Sequence, residues 1–208
     1  MAGEAARIGP NAVTRLAEAL EARRGPVRAR DVFARAGLAD LLEHPPERMV
    51  PEETVAALHG AMRCLLPADE ARRIAADAGR RTAGYLLAHR IPCIMRVALP
   101  VLPRRIATRI LLAAMARHAW TFAGSGRFEV LGGAAPRFAL RGGALLRGGS
   151  ADAARAYLAA TFEGLFQALT GASARVGARA SVSADGPVLL FDLFWTSPKA
   201  FDSTVKND

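Results

Sequence analysis

Apolar residues recur at helical spacing through the first 120 positions and then at alternate positions, so the pattern divides the chain into a helical part and a strand-bearing part. Residues 11–23 (NAVTRLAEALEAR) put Val13, Leu16, Ala17 and Leu20 on one face of a helix that Asn11 can cap. Gly25-Pro26 ends it, a second short helix covers 29–36, and Gly37 stops that one. Residues 38–51, with His44-Pro45-Pro46 and Pro51, read as a connector. Pro51-Glu52-Glu53 opens the next helix, with acids in its first turn where the helix dipole favours them. Pro67 begins a long helix with Ala71, Ile74, Ala75, Ala78, Thr82, Tyr85 and Leu86 along one side, and these mostly small residues predict close approach to another helix.

Residues 91–101 form a short apolar helix between prolines. Pro103 starts another (PRRIATRILLAAMARHAW), with Arg104, Arg105, Thr108 and Arg109 on one face and Ile106, Ile110, Leu111, Ala114 and Met115 on the inward one. After the turn Gly124-Ser125-Gly126, residues 127–131 and 137–141 alternate on either side of GGAAP, a hairpin signature. Gly142-Gly143 and Gly148-Gly149 bracket a short loop. Ser150 or Asp152 caps a helix over 153–169, and residues 174–183 and 188–195 form a second hairpin about Ala184-Asp185-Gly186-Pro187. Segregated helices and antiparallel strands predict the α+β class: a sheet of about four strands, made of two hairpins, packed against several helices. The expected division is a helical N-terminal extension over 1–50, the α+β domain over 51–196 and a flexible tail over 197–208.

Composition narrows the classes. With 208 residues, 51% hydrophobic and 23% charged, the chain is globular. Its net charge of +9 comes almost wholly from arginine, which suits either a high-GC coding bias or a surface that receives anions. Cys64 and Cys93 match no metal knuckle or redox pair and fit a reducing compartment, and the N-terminus lacks the apolar run of a signal peptide. A cytoplasmic location is expected. The most hydrophobic stretch, 91–120, is interrupted by arginines and prolines and so cannot span a bilayer, which leaves peripheral membrane contact open. With no helix-turn-helix and no aromatic platform between the arginine clusters, nucleic acid is not an expected partner.

Candidate chemistry is sparse. The sequence holds no GxGxxG after a strand, no P-loop, no HExxH and no cysteine set for an iron–sulfur cluster, so it offers no recognisable place for a nicotinamide, flavin or metal electron donor. No catalytic residue and no intrinsic cofactor is assigned. The four histidines are not at zinc-ligand spacing. His118 stands apart because it ends an arginine-bearing helix in the run RHAWTF. An imidazole can give one axial bond to a chelated magnesium or iron, the rings of Trp120 and Phe122 can lie against a flat macrocycle, and Arg105, Arg109 and Arg117 can pair with its carboxylates. A solvated basic face beside a core tryptophan is the competing reading. In the strand 188–195, Asp192 is the odd acid, either paired with an arginine or facing solvent. That strand is apolar on both faces, which fits burial on both sides or a ligand cavity under the sheet.

The stretches ADEARRIAADAGRRTAGYLLAHRIP, LPRRIATRILLAAMARHAWTFAGSGRFEV and AARAYLAATFEGLFQALTGASARV resemble the family of bacteriochlorophyll synthesis protein J, which carries the 4-vinyl reductase domain, over roughly 66–195. The resemblance implies a fold similar to the small TRAPP vesicle-tethering subunits. It also implies reduction of the C8 vinyl group of a divinyl chlorophyllide precursor. Many relatives carry paired cysteines at positions that here look like Ser181 and Leu189, so cysteine-based metal binding is not carried over. The expected function is an accessory or carrier protein that binds a Mg-tetrapyrrole of divinyl protochlorophyllide or Mg-protoporphyrin type, with enzymes of bacteriochlorophyll synthesis as partners. The alternative is the 4-vinyl reductase itself or a subunit of it. A homodimer is left open.

Overall fold

The computed structural model describes residues 6–133, 135–146, 151–184 and 186–196. The element order is β1 (Arg7–Ile8), α1 (Asn11–Arg35), α2 (Asp40–Glu43), β2 (Val50–Pro51), α3 (Glu52–Leu65), α4 (Ala68–His89), α5 (Cys93–Val101), α6 (Arg104–Arg117), α7 (Trp120–Ala123), β3 (Arg127–Leu131), β4 (Arg137–Arg141), a 3-10 turn (Ala144–Leu146), α8 (Ala151–Thr170), β5 (Ala174–Ser183) and β6 (Gly186–Trp195). The α+β class holds, with helices preceding and covering a four-stranded antiparallel sheet of order β3-β4-β6-β5. The two hairpins join through β4 and β6, where Phe138 faces Phe191 and Leu140 faces Leu189.

Phenylalanines fill the space between the sheet and α8. Phe138 and Phe191 stack at 5.0 Å, and Phe162 meets both edge-on at 5.3 and 5.2 Å. Phe128 extends this cluster. The inner face of β6 (Leu189, Phe191, Leu193) is therefore packed solid, while its outer face is only half covered and leaves Phe194 48% exposed. Expected burial on both sides of this strand is thus corrected: α8 covers one side alone. Asp192, on the outer face, pairs with Arg179 of β5 at 3.2 Å.

The small-residue stripe of α4 meets α8. A Cβ on Gly79 would lie 2.2 Å from the Tyr157 carbonyl oxygen, and one on Gly164 would lie 2.7 Å from the Ala83 Cβ. Residues of α1 share this core: Val13, Leu16, Leu20, Val32 and Phe33 are fully buried in it. α1 is two helical segments across a break at Gly25 (φ 78°), a conformation that suits glycine, and Pro26 restarts the helix where its missing N–H costs nothing. The Asn11 cap is not made, because Asn11 is already the first helical residue and the chain enters through Pro10. The connector 38–51 holds the short α2 and β2, and β2 pairs with β1 (Ile8 opposite Val50).

The face of α6 differs most from expectation. Ala107, Thr108, Leu111, Leu112 and Met115 are buried, whereas Ile106 and Ile110 are 48% and 37% exposed. At 100° per residue the helix is turned by roughly a quarter turn from the expected orientation. It is apolar on more than one side, and its contacts with α8 and β3 select the Leu111–Met115 side. The turn of the second hairpin is tighter than expected, since β6 already begins at Gly186. Ser150, Gly148, Gly149, Asp185 and the tail 197–208 lie outside the described residues.

Candidate functional site

The residues singled out around the end of α6 are brought to one helix and the turn after it, but not into one cleft. His118 terminates α6, and its carbonyl accepts hydrogen bonds from the Thr121 N–H at 3.0 Å and the Thr121 hydroxyl at 2.8 Å, which starts α7. Gly9 then donates its N–H to the Thr121 carbonyl at 2.7 Å, tying the N-terminal strand to this corner. Trp120 is 58% exposed, and the His118 side chain also faces solvent. Phe122 points the other way: its ring meets Phe128 and Phe162 edge-on, both at 5.5 Å, so it anchors α7 to the aromatic core.

Arg105, Arg109 and Arg117 are exposed and take part in no ion pair among the described residues. Arg117 adjoins His118. Arg109 lies roughly 12 Å further back along the helix axis and Arg105 roughly 18 Å back, at 1.5 Å per residue. Arg104, expected on the arginine face of this helix but not among the pigment contacts, lies over the Trp195 ring at 5.2 Å. The arrangement is an open cationic ridge that ends in an exposed indole and imidazole. An open concavity elsewhere, at the break in α1, is lined by Arg23, Arg24, Val27, Arg28 and Asp31 and by none of the expected residues.

Two buried polar features escaped the sequence reading. His59 of α3 is fully buried, with no hydrogen-bond partner on either ring nitrogen among the described residues, and desolvation pushes its pKa down to about 4. It lies edge-on to Tyr157, whose hydroxyl pairs with Thr82 at 3.0 Å; burial, partly offset by that bond and by the charge of Arg15, pushes the phenol up to about 12. Both side chains hold their neutral forms at physiological pH. The second feature is Glu52. Instead of simply answering the dipole of α3, it is buried and accepts the Ser125 N–H at 3.0 Å, the Ser125 hydroxyl and the Ala144 N–H at 3.2 Å. It thereby staples the start of α3 to the turn before β3 and to the 3-10 turn. Its place after Pro51 gave no hint of partners so distant in sequence.

Among the described residues no three or more His, Cys, Asp or Glu side chains gather as metal ligands, and no helix is long and apolar enough to cross a membrane.

No family model matches the chain. It is 37% identical over 188 residues to the bacteriochlorophyll synthase 23 kDa chain of Cereibacter sphaeroides, covering 90% of both chains. A protein of the same name from Rhodobacter capsulatus is 37% identical over 124 residues, 60% of this chain and 57% of that one. Among solved structures, an H-NOX protein from K. algicida superposes with a TM-score of 0.55 at 10% identity, over 91% of this chain and 97% of that one. A Cs H-NOX protein gives 0.53 at 10% identity, over 92% and 98%. At that identity the likeness is one of fold alone, and these matches do not bear on the TRAPP-like fold that the sequence resemblance implied.

Proposed function

Because the chain belongs to the family of the bacteriochlorophyll synthase 23 kDa chain, and is thereby associated with bacteriochlorophyll biosynthesis, we propose that it binds a Mg-tetrapyrrole precursor and hands it to partner enzymes of that pathway. The observation that carries this reading is the exposed pair Trp120 and His118 at the end of a helix whose Arg105, Arg109 and Arg117 have no acidic partner among the described residues. Each group has a role towards a flat, acidic, magnesium-bearing ring. The indole offers a face for the macrocycle. The imidazole can supply the axial nitrogen to magnesium. Guanidinium groups pair in two-point fashion with carboxylates, and Arg117, next to His118, is the best placed. Phe122 acts through packing, as the anchor that fixes the turn on which Trp120 stands. The ridge is open to one side, which suits transfer to a second protein better than permanent enclosure.

The test is a titration with Mg-protoporphyrin or divinyl protochlorophyllide followed by the Soret band. The expected result is a saturable shift that His118→Ala and Arg117→Ala weaken by about tenfold, the loss of roughly 1.4 kcal/mol each. Tight binding unaffected by either change would remove these residues from the site. Reduction of the C8 vinyl group is the rival reading. Anaerobic incubation with NADPH and a divinyl substrate addresses it, and turnover by this chain alone would replace the carrier role.

A further inference from the structure

Helix α5 turns apolar side chains both inward and outward, with Arg96 as its only charged residue. Leu99 is buried, Met95 is half-buried against the core, and Ile94, Val97 and Val101 point outward at 74%, 66% and 81% exposure. Those three fall at i, i+3 and i+7, a continuous outward stripe on a surface helix where polar residues normally stand. The stripe continues with Leu102, Ile106 and Ile110 at 36%, 48% and 37% exposure, so six of the eleven large exposed hydrophobic residues described lie within 94–110. Isolated exposed apolar side chains are ordinary, but a concentration of this kind marks a surface that meets something apolar.

Charge says what that something is. Between Asp77 and Glu129 the sequence has nine arginines and no acid; Arg80 and Arg81 pair back to Asp77 on α4, and the other seven take part in no ion pair among the described residues. Arg90 and Arg96 flank the stripe on α5, and neither takes part in an ion pair among the described residues. Arginine carries its aliphatic stem along apolar surface and its head into a polar layer. Helical aliphatic side chains ringed by unpaired arginines match the boundary between acyl chains and anionic headgroups. A protein partner would more often be met by aromatic anchors and by charges of both signs, and the outward stripe of α5 has neither.

We propose that α5 and the start of α6 form a docking surface for an anionic lipid bilayer, with Ile94, Val97 and Val101 entering the acyl boundary and Arg90 and Arg96 on the headgroups. Docking of this kind does not require the pigment, and the residues that test it, Arg90 and those of α5, lie outside the ridge at His118.

The experiment is co-sedimentation of the full chain, without pigment, with vesicles of phosphatidylcholine alone or mixed with phosphatidylglycerol. The expected result is binding to the mixed vesicles that weakens as salt rises. Replacing Ile94, Val97 and Val101 together by serine should lower the partition by about tenfold or more, and Arg90→Gln with Arg96→Gln by about fivefold for each charge removed. Ile94→Ser and Val101→Ser singly, at the two most exposed positions, should each give part of the loss without touching the fold, as checked by circular dichroism. Wild-type protein that stays in the supernatant with both vesicle types, or a triple variant that binds as wild type, overturns the proposal. So does a wild-type oligomer that ignores vesicles and is dissociated by the triple variant, because the stripe is then a protein interface.

Discussion

The seam where α4 meets α1 and α8 and the corner made by α5 and α6 use nearly the same residues to opposite ends. Along α4, arginines find acids: Arg24 pairs with Glu70 at 2.8 Å, Arg23 with Asp77 at 3.5 Å, and Arg81 with both Asp77 and Glu18. The apolar stripe of α4 is closed against α8, with glycine at the tightest point. At the α5–α6 corner the arginines pair with no acid among the described residues, and the aliphatic side chains stand partly or largely in solvent. Exposed ion pairs stabilise little, so the pairing along α4 contributes less energy than order: it neutralises that surface and leaves unpaired positive charge at the α5–α6 corner. Stability and interaction are thus assigned to different helices, and the contrast predicts which substitutions will unfold the protein and which will not.

The largest effect should come from pH acting on the closed side. His59 has a pKa of about 4 in the fold against 6.5 when exposed. Between those values the unfolded chain holds a proton that the native chain refuses. Stability is full above pH 6.5, falls as the pH drops to 4, and levels off below that. The 2.5-unit difference corresponds to about 3 kcal/mol. His59→Met, which keeps the volume and removes both unpaired nitrogens, should match wild type near neutrality and lose this part of the slope. Urea midpoints at pH 7, 5.5 and 4 for both proteins check it, and a wild-type-minus-variant difference that does not change with pH would refute it.

Next in size is the helix contact itself. Gly79→Ala gains helix propensity but puts a methyl group into the backbone carbonyl of Tyr157, which cannot rotate away. The net expectation is a loss of about 2 kcal/mol, since overpacking outweighs a propensity gain of about 1 kcal/mol. Gly84→Ala, on the same helix with open space at its Cβ, should stabilise instead. Thermal melts of the two variants give opposite signs if the glycine stripe is what brings α4 to α8.

Much of this architecture is written in local pattern. The first hairpin follows from alternation on either side of GGAAP and the second from two strand-like runs about a turn signal, and the stripe of small residues on α4 announced a close neighbour without saying which. Features set by distant partners were not legible. Glu52 looked like a dipole acid because Ser125 and Ala144 are far along the chain. His59 and Tyr157 meet only once α3 and α8 are packed. Of the residues expected around a pigment, the sequence put His118, Trp120 and Arg117 in one neighbourhood, because one helix end and one turn carry them. It gave no sign that Phe122 turns inward to Phe128 and Phe162, since a single aromatic in a four-residue helix has no periodicity to read.

The orientation of α6 is the sharpest case, and its test includes the smallest effect, at Ile106. Ile106, Ile110, Leu111, Leu112 and Met115 leave the helix apolar over most of its circumference, so periodicity admits two solutions a quarter turn apart. The structure chooses the one that buries Leu111 at 5% exposure and leaves Ile106 at 48%. Leu111→Ala should therefore cost about 2–4 kcal/mol, as a truncation inside a packed core, whereas Ile106→Ala should cost under about 1 kcal/mol, because half of its surface is already in water. If the helix were turned as its sequence first suggests, both residues would be buried and the two losses would be similar. Chemical denaturation of the pair measures that rotation directly. Near-equal destabilisation would cover the outward stripe at Ile106 and leave the bilayer surface to α5 alone.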